Sequence, residues 1–151
     1  MLVAPDGFAS PGFAYGKAPA VPALLQAMRF LLPKALLRMN LAPAYANAAV
    51  LTDAVTTRYH DLMLAPGARA AMLARMQQTV LVDPVPLLRR IRAPTLLVWG
   101  ERDAMIPVAN AADYLAAIAN ARRVVIPGAG HVVQEEAAAA SVAATVDFLD
   151  S

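Results

Sequence analysis

Thr95-Leu96-Leu97-Val98-Trp99-Gly100-Glu101-Arg102-Asp103 is an apolar run that stops at a glycine and is followed at once by three ionisable side chains. A short continuous apolar run bounded by turn residues predicts a strand buried on both faces of a parallel sheet. Ala93-Pro94 ahead of it imposes an extended entry, because proline disfavours the helical region for the residue before it. A second stretch, Arg123-Val124-Val125-Ile126-Pro127-Gly128-Ala129-Gly130-His131, repeats the design and places one imidazole just past its own apolar run. Between the two, Pro107 starts a helix containing Ala111, Tyr114, Leu115 and Ile118. Strand, helix and strand form a βαβ unit with parallel strands and a right-handed crossover. In an open parallel sheet, ligands and catalytic groups gather outside the carboxyl ends of the strands.

Upstream, residues 1–5 read as the end of a short strand. Residues 6–22, rich in Gly, Pro and Ala without periodicity, read as a loop. Over 23–39, Leu24, Leu25, Met28, Leu31, Leu32, Leu36 and Leu37 recur at helical spacing, with Pro33 restarting a second helix at its first turn. Thr52 is suited to cap a helix over 53–64, and Asp53 falls in a first turn whose dipole favours negative charge. Further helices are expected over 68–80 and, capped at Asp83 with proline at its first position, over 83–91. A last helix is expected over 134–150, with Ala137, Val142, Thr145, Val146 and Leu149 inward. The expected organisation is a first core strand and loop at 1–19, a helical insert at 20–90 with hinges at 40–49 and 66–67, and a C-terminal α/β segment at 91–151.

A chain of 151 residues suits one domain with a real core. The hydrophobic fraction of 59% exceeds the ~45–50% of ordinary soluble domains, so apolar surface remains to be hidden. A net charge of +2 with scattered Lys and Arg argues against a nucleic-acid partner, which needs a basic stripe. No cysteine is present, which excludes disulfides, thiolate metal sites and a cysteine nucleophile. Met1 is followed by no basic and long apolar segment of the secretory kind, and a cytoplasmic location is expected. The most apolar early stretch, 20–37, is broken by Arg29, Pro33 and Lys34, short of the ~20 apolar residues of a membrane span.

Asp103 and His131 are the candidate catalytic residues. Asp103 lies on a turn between a buried strand and a proline-started helix, rigid enough to orient an imidazole. Capping the following helix is an equally good reading of Asp103 alone. His131 follows Gly128-Ala129-Gly130, whose missing side chains permit unusual backbone angles and close approach, and it titrates near neutrality. Neighbouring strands are ~4.8 Å apart, so two groups leaving the same end of adjacent strands can share a hydrogen bond. His60, in the helical insert, is read as structural.

A nucleophile is not evident. Of three serines, Ser141 lies inside the last helix and Ser151 is terminal. Ser10 has Phe8 where a G-x-S-x-G elbow needs glycine, and Pro11 lacks the N–H that should face an oxyanion. Asp6 as an aspartyl nucleophile would need glycine at Ala4. His131 with Glu135 lacks a third convergent metal ligand. Glu135-Glu136 diverge on a helix and do not suit glycoside chemistry. Gly128-Ala129-Gly130 lacks the later glycine of a dinucleotide site. No cofactor and no metal are expected.

With these residues in view, the chain resembles the C-terminal part of the α/β-hydrolase fold superfamily, specifically single-domain hydrolases with a helical cap. Leu2-Val3-Ala4-Pro5-Asp6-Gly7-Phe8 is similar to the sixth sheet strand and the loop entering the cap. Residues 20–81 are similar to the cap itself. Ile91 to Asp103 with Pro107 matches the penultimate strand and acid turn, and Pro127-Gly128-Ala129-Gly130-His131 the histidine turn. The resemblance implies a partial α/β-hydrolase of about three parallel strands with flanking helices and a cap insert. It also implies Asp103 as triad acid and His131 as triad base. The nucleophile strand, elbow helix and oxyanion loop are expected upstream of Met1, leaving the chain inactive alone.

The implied parent reaction is hydrolysis of an ester, an amide or a C–C bond through a Ser-Asp-His triad. The alternatives are an aspartate-nucleophile epoxide hydrolase or dehalogenase, and a non-catalytic fragment or interaction module. The implied substrate is small and apolar. Leu31, Leu36, Met39, Leu62, Met63, Met72 and Met76 line either its pocket or, more simply, the core of the cap. An exposed sheet edge could also support self-association.

Overall fold

The computed structural model describes residues 1–9, 14–18 and 20–151, the Leu24 side chain excepted. Ser10, Pro11 and Gly12 lie outside the described residues. The chain forms two compact units, one of Met1–Phe8, Pro43–Ala48 and Asp83–Ser151, the other of Ala9–Ala42 and Ala49–Val82.

The first unit is built on a parallel sheet of β1 (Leu2–Val3), β2 (Thr95–Gly100) and β3 (Ala121–Ile126), with β2 in the centre. Leu2 pairs with Leu97, and Gly100 with Ile126. All six residues of β2 are buried. Its side chains alternate between two cores, as the period of a strand dictates. Leu97 and Trp99 pack with Ile106, Tyr114 and Ile118 on one face, while Leu96 and Val98 pack with Ile126, Ala129 and Val133 on the other. The first face is covered by α6 (Ala111–Ala117), entered through a 3-10 turn at Val108–Asn110. The second is covered by α7 (Val133–Glu136) and α8 (Ala138–Leu149). The helix expected over 83–91 is shorter: α5 (Val85–Leu88) has Pro84, not Asp83, as its N-cap, and the Asp83 side chain accepts from Val85 N–H at 3.0 Å just ahead of it. At the edge of β3, the Arg122 guanidinium lies 4.9 Å over the Phe148 ring.

One expectation fails here. The final helix is two helices broken at Ala137, and Val142, Val146 and Leu149 face solvent. The half-buried positions of α8 are Ser141, Ala144, Thr145 and Phe148, spaced i, i+3, i+4 and i+7. In an alanine-rich helix two stripes compete on hydrophobicity alone, and the aromatic Phe148, with more area to bury, settles the rotation.

The second unit contains α1 (Ala23–Ala27), α2 (Lys34–Leu41), α3 (Asp53–Leu64) and α4 (Ala68–Gln78). Pro33 stands as the N-cap of α2 rather than within its first turn. Thr52 caps α3 as expected, its hydroxyl accepting from Val55 N–H at 3.2 Å. Met28, Leu32 and Leu37 are its buried core, with Leu36, Met63 and Met72 packed against them, while Leu31, Met39 and Leu62 are exposed. The apolar residues of the insert therefore divide between a core of their own and an exposed set. Among the described residues, no helix is long and apolar enough to cross a membrane.

The insert expected at 20–90 is not continuous in space. Residues 43–48 group with the sheet unit. The hinge expected at 40–49 is thus, for most of its length, a segment hydrogen-bonded to the histidine turn described below.

Candidate functional site

Asp103 and His131 leave the carboxyl ends of β2 and β3, and they meet. Asp103 Oδ2 lies 2.9 Å from His131 Nδ1. The Asp103 side chain is wholly buried and that of His131 is 27% exposed. The other carboxylate oxygen, Oδ1, accepts from Met105 N–H at 2.9 Å and Ile106 N–H at 2.8 Å. Of the two readings of Asp103, the imidazole partner is realised on Oδ2, while Oδ1 closes a turn and caps no helix. That turn stands before Pro107. A buried carboxylate without such donors would be severely destabilised. Trp99 pins the far side of this turn: its indole N–H donates to the Ile106 carbonyl at 2.9 Å.

The hydrogen bond assigns the histidine tautomer. Nδ1–H donates to Asp103, so Nε2 is the nitrogen left to exchange a proton. Among the described residues, no hydrogen bond is formed at Nε2. The imidazole pKa is raised above 6.5, first by the hydrogen bond to Asp103 against an opposing desolvation, then by the charges of Asp103 and Asp6.

The two turns are also joined directly. Glu101 N–H donates to the Ile126 carbonyl at 3.0 Å and Arg102 N–H to the Ala129 carbonyl at 2.9 Å. Gly128 N–H donates to Glu101 Oε2 at 2.8 Å. Gly128 itself adopts φ +69°, a left-handed conformation that glycine takes without steric cost.

From the far side, the Ala44 carbonyl accepts from His131 N–H at 2.9 Å and Val132 N–H at 3.3 Å. Glu136 Oε2 accepts from Gly130 N–H at 2.6 Å and Ala46 N–H at 3.2 Å, and Oε1 from Asn47 N–H. Tyr45 donates its hydroxyl to Glu135 Oε2 at 2.7 Å. A Cβ on Gly130 would stand 2.6 Å from Ala46 N and 2.8 Å from the Ala44 oxygen. Glycine is therefore required for the close approach.

Sequence reasoning passed over Glu101, Glu136 and residues 44–47. The signal for Glu101 was a second carboxylate on the acid turn, and for Glu136 a carboxylate at the end of the short helix that follows His131. Nothing in the sequence marked Ala44.

The remaining candidates lie elsewhere. His60 Nε2 is 2.9 Å from the Leu32 carbonyl within the helical unit, in keeping with a structural role. Ser141 donates to the Ala138 carbonyl in its own helix and Ser151 to Phe148. Asp6 is exposed and follows Ala4, whose φ of +38° is the positive-φ exception among the described non-glycine residues. No cluster of three or more metal-ligating side chains occurs among the described residues.

Comparison with known proteins sets this pair in a family. The model of the "Alpha/beta hydrolase family" matches residues 1–145. No curated protein sequence matches the chain. Among solved structures, a serine hydrolase from the polyaromatic hydrocarbon-degrading bacterium Cycloclasticus zankles is similar at TM-score 0.65 and 22% identity, over 88% of this chain and 52% of that one. A 2-hydroxy-6-oxo-6-phenylhexa-2,4-dienoate hydrolase from Rhodococcus sp. strain RHA1 is similar at TM-score 0.69 and 15% identity, over 93% and 52%. A bromoperoxidase from Bacillus anthracis is similar at TM-score 0.71 and 18% identity, over 93% and 55%. The chain thus spans about half the length of these structures. With a parallel three-stranded sheet and a family match over nearly its whole length, this chain belongs to the alpha/beta hydrolase family.

Proposed function

We propose that this chain carries the acid and base of a hydrolase triad, Asp103 and His131, and that the nucleophile they serve is a serine held outside the described residues. The observation that carries the proposal is the 2.9 Å approach of Asp103 Oδ2 to His131 Nδ1. In the reaction, His131 Nε2 takes the proton from the serine hydroxyl as it attacks an ester, amide or ketone-adjacent carbonyl. Asp103 stabilises the resulting imidazolium, and Nε2 then returns the proton to the leaving group. The substrate class is small and apolar. The serine hydrolase among similar structures favours a serine over an aspartate nucleophile.

Turnover of p-nitrophenyl butyrate tests the proposal. The chain alone is expected to match the uncatalysed blank. Joined to an N-terminal alpha/beta hydrolase segment that carries a G-x-S-x-G elbow, it should turn over ester. Replacing His131 with alanine should then cost on the order of a million-fold in kcat. Turnover by the chain alone that His131→Ala abolishes would overturn the placement of the nucleophile. Turnover by the joined chain that survives His131→Ala would overturn the assignment of the base. Turnover only with a G-x-D-x-G elbow in the joined segment would redirect the chemistry to an aspartate nucleophile.

A second reading, an interaction module, is favoured by Val142, Val146 and Leu149. They are exposed at i, i+4 and i+7 on α8, and β1 forms a sheet edge. Sedimentation of the purified chain separates the two readings, since an interaction module of this kind self-associates.

A further inference from the structure

The His131 turn has no apolar core of its own at Gly130, where the local contacts are backbone amides and one carboxylate. That carboxylate, on Glu136 at the end of α7, collects three N–H groups from two segments far apart in sequence: Gly130 on one side, Ala46 and Asn47 on the other. The Ala44 carbonyl completes the arrangement by accepting from His131 and Val132. Hydrogen bonds from neutral donors to an ionised acceptor are shorter and about twice as strong as neutral ones.

We propose that Glu136 is a positioning residue: by binding Gly130 N–H together with Ala46 and Asn47 N–H, it fixes the backbone from which His131 reaches Asp103. The proposal rests on His131 being the base. The chemistry explains why a carboxylate is used. Three converging donors need an acceptor with two oxygens and several lone pairs, which a single carbonyl does not offer. It also explains the glycine at 130, since a Cβ there would stand 2.9 Å from Glu136 Oε2. Asp103 holds the ring by its Nδ1 end, and Glu136 holds the main chain one residue before it. An imidazole anchored at both ends keeps Nε2 in one place, and a displacement of about 1 Å in such a group can cost a hundred-fold in rate.

The experiment is a titration of the imidazole carbon-bound protons by NMR in the full chain. Two histidines give two such signals each, assigned with His60→Gln. Glu136→Gln keeps the size of the side chain and leaves one acceptor oxygen. Glu136→Asp keeps the charge and loses the reach. In the wild type the His131 midpoint lies above 6.5. Both Glu136 variants are expected to lower it toward that value while the His60 midpoint stays in place, and to speed amide exchange at Gly130 and His131 by about tenfold or more.

The Trp99 indole N–H signal reports that the sheet unit is folded, and should one variant fail to fold, the other carries the comparison. Midpoint and exchange unchanged in a folded variant would overturn the proposal. Full restoration by Glu136→Asp would overturn it too, because the effect would then be one of charge and not of position. Asp103→Asn separates this failure from failure of the base assignment. If it lowers the His131 midpoint while the Glu136 variants do not, only the positioning role is lost. If neither moves it, the Asp103–His131 pair itself is refuted.

Discussion

The turn that carries Asp103 and the turn that carries His131 leave adjacent strands at the same end, yet they are held by different means. Beside the bonds of Glu101 and Arg102 that join the two turns, the Asp103 turn is closed by its own neighbours. Its carboxylate accepts from Met105 and Ile106, and Trp99, four residues before it, reaches the Ile106 carbonyl. The His131 turn leans on partners far away in the chain: Ala44, Ala46 and Asn47, with Glu101 and Glu136 as the connecting carboxylates. The turn of Asp103 is thus closed largely by local contacts, and the turn of His131, the proposed base, largely by tertiary ones. Local ordering costs little loop-closure entropy. The histidine turn closes contacts with residues 44–47 far away in the chain, and it should be the first of the two to loosen.

The largest expected effect breaks both turns at once. Asp103→Ala leaves two N–H groups without their acceptor and the imidazole without its partner, and should destabilise the fold by about 3 kcal/mol in urea unfolding. The same variant tests the sign of the pH dependence. The pKa of folded His131 is raised above 6.5, so the folded state holds the proton more tightly than the unfolded chain. The stability from the pair is complete below about pH 6.5 and is lost as pH rises through the folded pKa. Stability against pH should show this decline in the wild type and not in Asp103→Ala.

Gly130→Ala strikes the tertiary turn alone. Its new methyl meets Ala46 N and the Ala44 oxygen, and a cost of about 2 kcal/mol is expected. Amide exchange should rise over 129–132 and over 44–47 while Met105 and Ile106 stay protected. Trp99→Phe strikes the local turn and the core face that the indole packs in. The loss of the donor to Ile106 together with buried ring volume should cost about 2 kcal/mol and raise exchange at 105–106, with the Gly130 amide unchanged. Equal loosening of both turns in either variant would erase the distinction between them.

The sequence by itself determined the strands and the chemistry at their ends. Leu96 to Trp99 have no polar face, so they had to be buried on both sides, and Ala93-Pro94 and Gly100 bounded the run. Two such strands joined by one helix are parallel, which sends Asp103 and His131 to the same rim. Thr52 announced its helix because a capping side chain acts within three residues of itself.

Tertiary structure decided what acts at long range. It chose which stripe of α8 turned inward, since Val142, Val146 and Leu149 stayed exposed although they are more apolar than the half-buried Ser141, Ala144, Thr145 and Phe148. It also divided the insert, drawing Pro43–Ala48 out of the helices and onto the histidine turn. The reason is physical. A backbone carbonyl such as that of Ala44 is the same group at every position of the chain, so its choice of His131 and Val132 as donors is written only in the folded path that brings them together.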